Sequence, residues 1–216
     1  MMKVELITHM GSDLTVVNAA RVSFDKQHDK LMNTDYNLIK YLAKHRHWTP
    51  FAHCFLQFRI TAPIFVARQL GKHQIGLTWN EVSRRYVNHD PEFWDAETGW
   101  REATEDKKQG SGKLSNFQPD MYRSLDIVNK TCLSHYRQAL DMGICEEQAR
   151  ALLPQSMMTM WWWSGSLYAF ARVCQQRMTD DAQHETKQIA QAIDNHCKTL
   201  YPISWHELRG YDIGEG

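Results

Sequence analysis

Apolar and polar positions along the chain change period several times, and each change predicts an element. Lys3 to His9 reads as a first strand, and Gly11-Ser12-Asp13 then supplies turn and capping chemistry ahead of a short helix through Val16, Val17 and Ala20. Arg21, at the end of that helix, suits a cation near a helix C-terminus. Asn33 and Thr34 can cap a second helix whose Leu38, Ile39 and Leu42 form one apolar stripe, ending near His45-Arg46-His47 before Pro50. Cys54 to Ala62, rich in Phe and Ile, reads as a strand, and Pro63 suits the first turn of a helix running toward Gly71.

From Asn88 to Pro119 the periodicity is lost and the chain turns polar and Gly-rich, most of all at Glu105-Asp-Lys-Lys-Gln-Gly-Ser-Gly. That predicts an exposed excursion inserted within a domain, with its flexible part there. Met121 to Met142 follows as the longest helix, with Leu125, Val128, Cys132, Tyr136 and Leu140 near helical spacing and Gly143 as its stop. Glu146 to Leu153 predicts a short helix ended by Pro154. Met157 to Trp163 reads as a core strand whose Trp161, Trp162 and Trp163 also suit a subunit interface. Ser166 to Arg177 and Asp180 to Leu200 are two further helices, the second with Ile189, Ile193 and Cys197 on one face. Three strands among about six helices predict a mixed α/β (α+β) domain.

Composition narrows this picture without changing it. The 216 residues suffice for one domain, 1–216, with a sizeable core. Balanced charge, 25 basic against 25 acidic residues, argues against a nucleic-acid-binding surface. Five scattered cysteines without a Cys-x-x-Cys pair fit neither a disulfide framework nor a structural zinc site, so a reducing cytoplasm is expected. The N-terminus lacks an extended apolar signal region, and no apolar run approaches the ~18 residues of a membrane span. His45, His47 and His53 have no matching carboxylate pattern, and no metal site is predicted. Neither a phosphate loop nor a dinucleotide glycine fingerprint occurs.

The densest chemistry lies between Arg68 and Tyr86. Arg68, Lys72, Arg84 and Arg85 are cationic donors suited to phosphate, while Gln69, Asn80 and Glu81 can fix a base or ribose. Ala-Pro-Ile-Phe-Val-Ala just before it should pack in the core, and Gly71 and Gly76 would let backbone approach a ligand closely. The combination suits a nucleotide.

This segment resembles the signature of the flavin-dependent thymidylate synthases, Arg-His-Arg, seven residues, then Ser, with Asn-Glu just ahead of that Ser. Here the triplet is Lys72-His73-Gln74, and eight residues separate Gln74 from Ser83. The resemblance extends through Ala20-Arg-Val-Ser-Phe, His47-Trp-Thr-Pro-Phe-Ala-His, Ala149-Arg-Ala-Leu-Leu-Pro, and Arg177 followed by Ala182-Gln-His-Glu. It implies reductive methylation of dUMP to dTMP, with carbon from methylenetetrahydrofolate and reducing equivalents from NADPH through FAD. It also implies a homotetramer with active sites between subunits and an antiparallel sheet.

Carried over residue by residue, the family's dUMP contacts fall on Gln69, Lys72, Glu81, Ser83, Arg85, Arg150 and Arg177, with Val82 and Arg84 supplying intervening backbone. Arg85 and Arg150 would grip the phosphate, and Arg177 would act as the catalytic cation at the uracil edge, polarising C5 without a protein nucleophile. The flavin positions fall on His47, Thr49, Lys72, His73, Gln74, Asn80, Ser166, Tyr168 and Arg172. Lysine at 72 keeps charge but loses the planar fork, glutamine at 74 loses both, and Arg84 and Arg172 are the candidates to compensate. The same departures leave room for a relative acting on dCMP, one leaving a hydroxymethyl group, or an inactive nucleotide-binding protein.

Overall fold

The computed structural model describes residues 1–87, 89–104 and 110–210. Most of the predicted flexible run, 105–109, lies outside the described residues. β1 (Lys3–Met10) leads into α1 (Asp13–Arg21), a 3-10 turn (Val22–Phe24), α2 (Asn33–Lys44) and α3 (Thr49–Ala52). β2 (Phe55–Pro63) runs directly into α4 (Ile64–Leu70), and β3 (Leu77–Glu81) follows. The predicted 88–119 excursion ends two residues inside α5 (Gln118–Asp141), which is followed by α6 (Glu146–Ala149), a 3-10 turn (Arg150–Leu152), β4 (Met158–Ser166), α7 (Leu167–Arg177), α8 (His184–Leu200) and α9 (Pro202–Gly210).

The four strands form one antiparallel sheet in the order β1-β2-β4-β3. Period-two alternation sends Leu56, Phe58, Ile60 and Ala62 of β2, with Trp161 and Trp163 of β4, into the core, each at most 1% exposed. There they join residues of α7, α8 and α9. The opposite face carries the Arg59–Glu5 ion pair at 2.9 Å and Trp162, which is 42% exposed. Hydrophobic burial on one face thus fixes the register that aims the signature strand.

Several expectations change. The sheet has four strands, because β3 lies inside the signature. α9, an element the pattern did not predict, follows α8, and Asp13 accepts from the backbone N–H groups of its Ile203 and Ser204 at 3.1 and 2.8 Å. The helix expected from Asp180 begins at His184, and α2 begins at Asn33 with Met32 as its cap residue, whose N–H is taken by the side chain of Asp35. The excursion is not wholly exposed either: Trp94 and Ala96 are buried, and Phe93 bridges to Met157.

Candidate active site

Pro63 ends β2 and precedes α4, where its fixed φ of −68° fits and its missing N–H costs no helical bond. α4 then delivers Arg68 and Gln69. The return to β3 turns at Gly76, whose φ is +72° and whose added Cβ would lie 3.1 Å from the Cβ of Ala169 on α7. Opposite it, a Cβ on Gly165 of β4 would meet Leu77 Cδ2 at 2.5 Å and the carbonyl oxygen of Gly76 at 2.6 Å. Gly76 serves this packing, and Gly71, at a helical φ, closes α4 against Ala67 and lines a cavity beside Lys72.

Three cavities meet along the segment. Lys72, His73, Gln74 and Arg172 line one of about 390 Å³. Lys72, His73 and Gln74 also line a second of about 610 Å³, with Arg68, Thr78, Trp79 and Glu81. A third, of about 380 Å³, holds Glu81, Val82, Arg84 and Arg150 under an apolar wall that includes Met158 and Met160. Glu81 belongs to both of the last two, and its carboxylate is held by the Thr159 hydroxyl at 2.7 Å and the Trp79 Nε1–H at 3.2 Å. Trp79 in turn stacks on the core residue Trp161 with ring centroids 4.3 Å apart.

Arg177 sits in the last turn of α7 and donates from Nε to His73 Nε2 at 2.9 Å. Burial, then the charges of Arg177 and Arg172, push the His73 imidazole down to about 4, so it is the neutral acceptor this bond requires, with its proton on Nδ1. Gln69 accepts from the Thr186 hydroxyl at 2.6 Å. Arg85 donates to Ser83 Oγ at 3.0 Å and reaches Glu147 Oε1 at 3.5 Å, while Arg150 Nε donates to the Glu147 carbonyl oxygen at 3.2 Å. The two arginines predicted to share a phosphate therefore flank one residue.

Other expected positions stand apart or already have work. Asn80 registers with Trp162, on the sheet face away from Glu81. His47 and Thr49 border the α2–α3 turn, where Trp48 and Tyr168 rings lie 6.2 Å apart. Ser166 caps α7, accepting from the Ala169 N–H at 3.2 Å. Of the two candidates to compensate for Lys72 and Gln74, only Arg172 shares their cavity; Arg84 is buried across Glu81, donating to the His89 carbonyl and lying 5.8 Å over the Tyr136 ring. Arg172 leaves its buried Nε without a partner, so this cavity offers an unspent cationic donor beside Lys72 and His73, which fits a phosphate-bearing flavin. Arg21 pairs with buried Asp35 at 2.6 Å, a structural role. Thr159 and Thr186 were missed in the sequence because each acts through a partner far along the chain, and Trp79, which holds Glu81 two residues on, because its ring is placed by stacking on Trp161.

Three of the five cysteines are closed off from solvent. Cys54, Cys174 and Cys197 are buried, and burial pushes their thiols up, Cys54 to about 12. No helix among the described residues is long and apolar enough to cross a membrane.

The family described as "Thymidylate synthase complementing protein" matches residues 5–203. Over 202 residues the chain is 34% identical to a flavin-dependent thymidylate synthase of Thermus thermophilus, covering 94% of this chain and 73% of that protein. It is 36% identical over 200 residues to one from Thermosipho africanus, with 91% and 86% covered. The crystal structure of a UMP/dUMP methylase, PolB from Streptomyces cacaoi, bound with 5-Br dUMP, superposes with a TM-score of 0.88 at 27% identity, covering 100% of this chain and 98% of that one.

Proposed function

The chain is an enzyme that belongs to the flavin-dependent thymidylate synthase family, and on that premise we propose that it methylates C5 of dUMP with carbon from methylenetetrahydrofolate and reducing equivalents from NADPH through FAD. The observation that carries this assignment of roles is the shared wall at Glu81, with Lys72, His73 and Gln74 on one side and Arg84 and Arg150 on the other. In this reading the nucleotide spans that wall, phosphate toward Arg85, Ser83 and Arg150, and the flavin lies along Lys72, His73, Gln74 and Arg172. When bound, the flavin supplies the redox chemistry. The protein's own part is binding and polarisation: Arg150 and Arg85 neutralise phosphate, Glu81 accepts from the base or ribose, and Arg177 directs fixed N–H donors at charge developing on the pyrimidine. His73 anchors the Arg177 Nε, and in this reading the terminal nitrogens are the ones that serve the substrate.

Lys72, Gln74, Glu81, Arg85 and Arg150 are exposed on the single chain. Trp162 on the outer sheet face and Ile127 and Val128 on α5 are exposed as well, at 42%, 57% and 48%. Both features support sites closed by other subunits of a homotetramer. The PolB enzyme's description as a UMP/dUMP methylase supports a second reading, in which UMP is also accepted. Incubating the protein with FAD, NADPH, methylenetetrahydrofolate and dUMP, UMP or dCMP, then weighing the products, tests both. A methylated product from dUMP is expected; hydroxymethyl product, turnover of dCMP alone, or no turnover with bound flavin would overturn the assignment.

A further inference from the structure

Thr186, the third residue of α8, has no part in the reaction above and is fully buried. A buried threonine inside a helix often satisfies its hydroxyl on the carbonyl four residues earlier. Thr186 reaches across to α4 instead, where its Oγ1 lies 2.6 Å from Gln69 Oε1; Gln183 Oε1, at 3.5 Å, is the weaker alternative. The short separation identifies the bond, because a hydroxyl on an oxygen acceptor centres at roughly 2.7–2.8 Å and an amide N–H on oxygen at roughly 2.9–3.0 Å. The Thr186 proton therefore goes to Gln69, and the amide is held with its oxygen toward α8.

Fixing one side of an amide fixes the other. With Oε1 spent on Thr186, half-buried Gln69 has its Nε2–H groups left to offer, and no protein acceptor among the described residues takes them. Unheld, the same amide could turn over and bring its oxygen to the place of its nitrogen, lone pairs against lone pairs at any acceptor there. We propose that Thr186 is a positioning residue for dUMP: it holds Gln69 as a donor to an acceptor oxygen of the nucleotide, a pyrimidine carbonyl or a phosphate oxygen. This rests on the reading of Gln69 as a nucleotide contact. The gain comes from preorganisation, since the amide is oriented before the nucleotide arrives.

Calorimetric titration of the FAD-loaded full chain with dUMP tests this as a double-mutant cycle. Thr186→Val, which deletes the hydroxyl and keeps the branched shape, is expected to raise the dUMP dissociation constant about five- to tenfold, and Thr186→Ser to stay within about twofold of wild type. Gln69→Ala should weaken binding at least as much, and adding Thr186→Val to it should cost nothing further, because the hydroxyl acts only through the amide. FAD affinity should hold in every variant. Deoxyuridine then locates the acceptor: a Thr186→Val penalty that persists without the phosphate puts it on the pyrimidine, and one that vanishes puts it on the phosphate. Normal dUMP affinity in Gln69→Ala would remove Gln69 from the nucleotide site and the proposal with it. If Gln69→Ala weakens dUMP while Thr186→Val does not, if the two penalties add, or if Thr186→Val loses FAD and dUMP together, Thr186 is structural and the proposal alone is overturned.

Discussion

Two arginine-bearing regions of this chain handle charge in opposite ways. Around Arg21, the buried carboxylate of Asp35 accepts from the guanidinium, lies 2.8 Å from His28 Nδ1, and takes the backbone N–H of Met32, so the charges are consumed internally. Around the signature, Lys72 and Arg150 make no ion pair among the described residues, and Arg172 leaves Nε unbonded. The contrast separates arginines that hold the fold from those with donors left free, which the proposed function assigns to a ligand. Both regions belong to blocks through which the family resemblance runs, so resemblance alone does not sort them.

The largest effect should come from the reserved side. Arg177→Lys keeps a cation that can still donate to His73, yet loses the planar fork that the proposed function directs at the pyrimidine. Product formation is expected to fall by about 10²–10³, the usual cost of removing a preorganised donor, while FAD binding and flavin reduction by NADPH stay near normal. Rapid-mixing measurement of reduction beside steady-state product formation checks this. A lysine variant at wild-type turnover would move Arg177 to the structural class, where its place in the last turn of α7 would explain it.

The paired side should fail differently. Asp35→Ala leaves Arg21 and His28 without their acceptor, at an expected cost of about 3 kcal/mol, or a melting temperature lower by roughly 6–12 °C. Affinity for dUMP in the folded fraction should be unchanged. Differential scanning calorimetry and nucleotide titration decide it, and a stable variant with weakened dUMP binding would erase the distinction between the two regions.

That distinction was only half legible in the sequence. Alternation and turn residues revealed β1, β2, β4 and the long helices, because local periodicity encodes them. β3 was hidden, since Leu77-Thr-Trp-Asn-Glu is short, carries three polar residues, and owes its place to Gly165 making room beside β4. α9 was hidden because its N–H groups are satisfied by Asp13, far away in the chain. The site shows the same limit. Residue types pointed to a nucleotide, but whether Arg84 or Arg172 stands beside Lys72 is decided by which side of Glu81 each falls on, a tertiary fact.

A smaller effect tests the phosphate end. Arg150 is exposed and its Nε rests on a backbone carbonyl, so Arg150→Ala should change stability by no more than about 0.5 kcal/mol. Loss of one charge-assisted contact of about 1.5–3 kcal/mol should raise the dUMP dissociation constant roughly 10- to 100-fold. Calorimetric titration measures it. Unchanged affinity in a folded variant would place the phosphate elsewhere and leave Arg150 among the structural arginines.

The subtlest comparison is in pH, because the two regions should lose stability in different windows. His73 has its folded value pushed down to about 4 by burial and by Arg177 and Arg172, from the ordinary 6.5. The unfolded chain therefore binds the extra proton first, and this contribution, fully present above about 6.5, is lost as pH falls from 6.5 toward 4. At Asp35, burial pushes the carboxyl up, but the bonds from Arg21, His28 and the Met32 N–H outweigh it and hold the group below 3.8. Its contribution is kept until the pH drops below that value, where the unfolded chain is protonated first. Urea midpoints measured from pH 7 to 3 on the wild type, His73→Gln and Asp35→Asn isolate the two windows, since other carboxylates cancel in the differences. The wild type should lose stability relative to His73→Gln between 6.5 and 4, where Asp35→Asn should run parallel to it. A His73→Gln curve parallel to wild type through that window would mean the imidazole is protonated in the folded protein, and the neutral acceptor proposed for Arg177 would be lost with it.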